Sequence, residues 1–308
     1  MDRQGVKNEF LPRSDEGEGR AHQHSRRRFL TRSAAAAVTS FVLPGSYLLR
    51  AAEKDSSKAS TGSHRYKVAV CDWMILKRQK LGAYQLARDI GADGVEVDMG
   101  SLGERETFDN QLARPEVRRQ FLDKARELNL EICSLAMSGF YAQSFAERRT
   151  VQRMVKDCID TLKAMNLKVA FLPLGVRGDL VKQAGVIIGL ETALSAAEEV
   201  KLLEDVGSPA VRSYFNFANA LKAGRDLHAE LRARGKDYLC QIHCTDEDGV
   251  LLQDNQRLDL RAVKGTLDEM GWSGWLVIER SRDVKDARNV KRNFGANAAY
   301  VKSVFQTG

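Results

Sequence analysis

At 308 residues the chain is too long for a mini-domain and has the size of one large α/β domain with a tail. Its 43% hydrophobic and 29% charged residues can bury a core, and with only five prolines they exclude fibrous and disordered readings. The net charge of +7 would suit nucleic acid if it sat in the folded part, but residues 1–62 hold eleven Lys/Arg against seven Asp/Glu, so nucleic-acid binding loses its motive.

Near the N-terminus, Ser-Arg-Arg-Arg-Phe-Leu-Thr (25–31) precedes a mildly apolar run from Ser33 to Leu49 that Pro44 and Gly45 interrupt. The run is shorter than the roughly 20 residues a spanning helix needs. With Arg26 and Arg27 closing a polar stretch, residues 1–52 resemble a twin-arginine export signal. The resemblance implies the twin-arginine translocase as a partner, export in the folded state, and a periplasmic or otherwise exported location. Residues 53–65, rich in Ser and Lys, read as a linker, and 66–308 as the folded domain.

From there strand and helix alternate. Apolar, β-branched runs predict strands at Lys67–Ile75, Gly94–Met99, Glu131–Met137, Val169–Leu174, Val186–Glu191, Val211–Asn216, Tyr238–His243 and Trp275–Glu279. Helical periodicity marks Pro115–Leu128, Glu147–Met165, Ser195–Val206, Leu227–Arg234, Leu260–Met270 and Val290–Phe305. Eight such units predict a (β/α)8 TIM barrel, whereas a doubly wound sheet would want a Gly-rich phosphate turn after Ile75 that is absent. Only ten residues, Val176–Gly185, separate the fourth and fifth strands, too few for an ordinary crossover. The fourth helix is therefore expected to be missing or shortened, with Ile188 and Leu190 exposed or covered by a neighbouring element or subunit. The five cysteines, Cys71, Cys133, Cys158, Cys240 and Cys244, are scattered without C-x-x-C spacing and read as buried thiols rather than a disulfide framework.

Strand parity then places the chemistry. Barrel active sites lie at the C-terminal mouth, and alternate strand residues point inward. Counting back from each strand end turns Glu191, Asn216, His243 and Glu279 inward, with Gly189, Gln241 and Val277, and leaves Ile188, Leu190, Phe215, Cys240, Ile242, Leu276 and Ile278 outward. Singly, Glu191 and Glu279 have the alternative of rim carboxylates paired to arginines such as Arg280, and His243 alone is more often a satisfied strand histidine than a ligand. Jointly, apolar strands ending inward on charge are costly to bury without one common partner. Two carboxylates, an imidazole and an amide oxygen form a set suited to one divalent cation: Mn, Mg, Co or Zn. Asn219 and Glu96 are candidates for substrate hydroxyls and Trp73 for an apolar wall. Asp72 and Asp98 are read as support for the mouth, Trp272 and Trp275 as core, and Asp246 as orienting the imidazole or capping a turn.

Gly-Val-Ile-Ile-Gly-Leu-Glu (185–191), Gln-Ile-His-Cys-Thr-Asp (241–246) and Gly-Trp-Ser-Gly-Trp-Leu-Val-Ile-Glu (271–279), with Gly-Ala-Asp-Gly-Val-Glu-Val (91–97), resemble the sugar phosphate isomerase/epimerase family of xylose-isomerase-like barrels. The resemblance covers about residues 66–305. It implies one divalent metal held at Glu191, His243 and Glu279, with the two glutamates as acid and base. Asn216 stands where that family usually has Asp. The implied reaction is isomerisation or epimerisation of a small carbohydrate, by proton abstraction through an enediolate. A lyase or dehydratase on the same scaffold, a metal-free degenerate sugar-binding barrel, and an endonuclease short of histidines are the alternatives. Self-association into a homo-oligomer stays open.

Overall fold

The computed structural model describes residues 64–145, 147–174 and 186–307. Eight strands close a parallel barrel in sequence order: β1 (Tyr66–Cys71), β2 (Gly94–Asp98), β3 (Glu131–Ala136), β4 (Val169–Pro173), β5 (Ile187–Glu191), β6 (Val211–Asn216), β7 (Leu239–His243) and β8 (Gly274–Ile278). The helices among the described residues are α1 (Gly82–Ile90), α2 (Pro115–Glu127), α3 (Val151–Met165), α4 (Ala196–Val206), α5 (Phe217–Lys222), α6 (Leu227–Tyr238), α7 (Leu260–Glu269) and α8 (Val290–Phe305). Local signals set several of these ends. Ser195 and Glu198 form a capping box at α4, Asp226 and Asp259 cap α6 and α7, and Gly235 at φ 64 breaks the last turn of α6.

Period-two alternation sorts the apolar residues into two cores. Ala69, Cys71, Cys133, Ala136, Phe171, Tyr214 and Val277 fill the barrel interior, while Val70, Val97, Leu172, Leu190, Phe215 and Ile242 pack in the larger core between strands and helices. Trp272 joins that outer core, and Trp275 packs against the interior cluster and beneath the Lys67 ammonium. Gly189 faces inward where a Cβ would lie 2.8 Å from Cys240 Sγ and 2.9 Å from the Tyr214 ring, so any larger residue would force these neighbours to shift.

Parity fails at two places. The ladder between β2 and β3 skips Cys133, and that between β6 and β7 skips Cys240, so each is an extra residue of a bulge. Cys240, expected on the outer face, therefore packs against the interior cluster. All five cysteines are free.

The expected absence of a helix between β4 and β5 falls on residues 175–185, outside the described residues. β4 and β5 pair from Val169–Ile187 to Pro173–Glu191, and Ile188 and Leu190 are 6% and 0% exposed, so this face is covered rather than exposed. The export signal and most of the linker also lie outside the described residues.

Candidate active site

The ends of β5, β6, β7 and β8 bring Glu191, Asn216, His243 and Glu279 together at the C-terminal mouth, all buried. His243 Nδ1 lies 2.8 Å from Glu191 Oε2 and 3.7 Å from Glu279 Oε2. The same imidazole reaches inward with Nε2, 3.3 Å from Glu96 Oε2. Its ring is fixed against Phe171 and Tyr214, with centroids 4.9 and 4.7 Å away.

Tyr141, at the end of a single 3₁₀ turn after β3, closes the other side. Its hydroxyl donates to Glu279 Oε1 at 2.9 Å and stands 3.3 Å from both oxygens of Glu191. Tyr141 carries no periodic signal in the sequence, and only its place as an aromatic following a strand end could have suggested it. Trp73 stacks on Phe171 at 6.2 Å, and Phe171 in turn meets Tyr141, so Trp73 belongs to an aromatic wall reaching the site. Asn219, on α5, donates to Glu191 Oε1 at 3.3 Å and to the Thr192 carbonyl.

Glu96 does not lie where a substrate group would touch it. It is fully buried one side-chain layer deeper, level with Tyr214 and Gln241. There Oε1 accepts from Ser134 Oγ (2.8 Å) and Tyr214 OH (3.0 Å), and Oε2 from Cys71 Sγ (3.3 Å) and His243. It is a carboxylate hub that holds the imidazole from behind, the arrangement that orients ring nitrogens in many metal sites. Asp246 instead binds Asn255 and Arg257 and turns the loop, with no contact to the imidazole. Asp72 and Asp98 brace the β1 and β2 ends through backbone N–H groups of Gln79, Asp98 and Gly100.

Burial opposes a charged His243, but Glu279, Glu191 and Glu96 outweigh it and push the imidazolium up to about 10. Burial and the two mouth glutamates likewise raise the Tyr141 hydroxyl well above its ordinary range, so it stays a donor. Desolvation lowers Arg280, yet its neighbours Glu279, Tyr141 and Glu191 raise it further; its Nε lies 3.7 Å from Glu279 Oε2.

A divalent cation fits three of these groups. Glu191, His243 and Glu279 each offer one ligand atom, all within 4.8 Å of one another. Donors about 2.0–2.2 Å from one cation stand roughly 3–3.5 Å apart, close to the separations seen here. Asn216 departs from the expected set. Its Nδ2 donates to Glu191 Oε2 (3.1 Å) and Glu279 Oε2 (3.0 Å), while Oδ1 accepts from Ala218 N (2.9 Å). The amide nitrogen, not its oxygen, faces the centre, and an N–H donor does not ligate a cation.

Eight parallel strands closed into a (β/α)8 barrel, with two carboxylates and an imidazole gathered at the C-terminal mouth, define a TIM-barrel protein. Over residues 84–303 the sequence matches the xylose isomerase-like TIM barrel family, and the chain belongs to it. A 2-epi-5-epi-valiolone 7-phosphate 2-epimerase from Actinoplanes sp. is 25% identical over 205 residues, which cover 58% of this chain and 72% of that one. Among solved structures, a xylose isomerase domain protein from Planctomyces limnophilus superposes with TM-score 0.57 at 16% identity, covering 79% of this chain and 99% of that one. A D-psicose 3-epimerase from Clostridium cellulolyticum H10, solved with D-tagatose, gives 0.60 at 13% identity, covering 78% and 99%. At these identities the structures speak for the fold.

Proposed function

We propose that this protein is an isomerase or epimerase of a small carbohydrate, dependent on one divalent metal ion and exported through the twin-arginine route. The observation that carries the reading is the convergence of Glu191 and Glu279 on His243 and on the shared donors Tyr141 and Asn216, at the mouth of a barrel whose relatives include epimerases. Glu191, His243 and Glu279 would hold the cation, which supplies polarisation of a substrate carbonyl when bound.

The protein's own groups do the rest. One glutamate carboxylate takes the proton from the carbon next to the carbonyl, leaving an enediolate. The other enters the cycle protonated and returns a proton to the opposite face, so the stereocentre inverts and the pair exchanges roles. Tyr141, held protonated, can donate to an oxygen developing charge. Asn219 and the Trp73–Phe171 wall orient the sugar, and the buried Glu96 hub keeps the imidazole in one ring orientation.

The test is solvent exchange. With Mn²⁺ present, incubating a panel of ketoses and their phosphates in D₂O should place deuterium at one carbon of an accepted sugar. Glu279→Gln should lose about 10²–10⁴-fold in that exchange, because an amide can neither take nor return the proton. Absence of exchange for every sugar and divalent cation would favour the second reading, a metal-free sugar-binding barrel. That reading draws on one observation, the Asn216 nitrogen turned toward both carboxylates.

A further inference from the structure

We infer that Asn216 is a positioning residue that clamps Glu191 to Glu279 by hydrogen bonds, and that the start of α5 locks its amide so that its oxygen is withheld from the cation seat. For its catalytic consequence this rests on the acid–base reading of the two glutamates. The lock itself rests on geometry alone.

Asn216 ends β6 and caps α5, so one side chain serves two structures. Oδ1 is committed to the Ala218 backbone N–H at 2.9 Å, the ordinary use of a capping Asn. That leaves Nδ2 pointing into the barrel mouth, where its two N–H groups reach one oxygen of each glutamate, at 3.1 and 3.0 Å. Turning the amide over would set its NH2 against the Ala218 N–H and its oxygen against two carboxylates. Both ends forbid the flip, so the orientation follows from the network rather than from one contact.

Two acidic side chains brought together inside a protein repel unless donors lie between them. Asn216 supplies two such donors without adding charge, from a position fixed by a helix end. Asn219 follows three residues later on the same helix and touches Glu191, so the clamp and this second amide are set by one rigid segment. One amide nitrogen thereby fixes the spacing of Glu191 and Glu279.

Substitution at this one position separates the clamp from a ligand. Asn216→Asp preserves the cap but replaces the donors with a third carboxylate. In EDTA its Tm should fall by about 5 °C or more, and Mn²⁺ should restore it. A Tm in EDTA equal to that of wild type would overturn the inference. Isothermal calorimetry with Mn²⁺ gives the complementary arm. Asn216→Ala should bind within about threefold of wild type, and a loss of tenfold or more would show that the oxygen is a ligand after all. Should the alanine variant fail to fold, Asn216→Ser keeps a capping oxygen and takes its place under the same criteria. A spectroscopic signature completes the test. The Asn216 side-chain ¹⁵NH₂ protons should resonate downfield and move back in Glu279→Gln, whereas unchanged shifts would refute the clamp. If wild type itself binds no Mn²⁺, the metal-dependent reading fails, while the EDTA and NMR arms still decide on the clamp.

Discussion

Replacing Glu96 by Gln changes one buried oxygen to an amide, and its cost can be worked out bond by bond. The carboxylate takes four donors, two on each oxygen. Ser134 Oγ and Tyr214 OH accept from Gln241 Nε2, at 3.1 and 3.2 Å, and aim their hydrogens at Glu96, so a new NH2 there meets two donors that must both turn away. If the NH2 turned to the other side it would face His243 Nε2 and Cys71. Either way one or two hydrogen bonds to a charged group are lost in a site with no solvent to replace them, at about 1.5–3 kcal/mol each. We expect Glu96→Gln to lose about 3–5 kcal/mol in urea unfolding, with the midpoint moving and the slope unchanged. A loss under about 1 kcal/mol would refute the hub and return Glu96 to the role of an ordinary polar residue.

Other perturbations give equally definite outcomes. His243, raised to about 10 from an ordinary 6.5, contributes stability that is complete below about pH 6.5 and lost as pH rises through 10. Tm of EDTA-treated protein should therefore fall across that window, and His243→Gln should flatten the profile; parallel profiles would contradict the assignment. Gly189→Ala places a methyl against Cys240 and Tyr214 and should cost about 1–3 kcal/mol, or about 2–4 °C in Tm per kcal/mol. Gly265→Ala, in α7 with open space around it, is the control and should be neutral or slightly stabilising. Changing Arg26 and Arg27 together to Lys should leave a folded fusion protein inside the cell, and unaltered export would remove the signal reading.

The barrel and its mouth were legible because period-two burial is written into the apolar runs. Glu191, Asn216, His243 and Glu279 each end such a run, so parity alone sent them inward to one place. Depth was less legible than direction. Glu96 faces inward as its Val-Glu-Val setting implies, but it stands two residues before the end of β2 at Asp98, which sets it one layer below the mouth rather than at it. α1 begins at Leu81 and Gly82 without a capping side chain, and so gave no start signal. An amide in the sequence also does not say which end will face a site. Here the backbone of Ala218 decides that, and with it the difference between a ligand and a clamp.

The two bulges uncouple strand length from side-chain direction in β3 and β7. Cys133 and Cys240 are surplus to the pairing of β3 and β7, and the residues on either side, Ile132 with Ser134 and Leu239 with Gln241, already alternate outward and inward. Excising either cysteine would therefore shorten a strand without inverting the residues beyond it, and His243 would still point into the site. An insertion or loss of one residue elsewhere in a strand would turn its functional end to the wrong face. These two positions are therefore where β3 and β7 can lose one residue with parity kept. The volume of one small thiol, lodged in the case of Cys240 against Gly189, is what such a change would trade away.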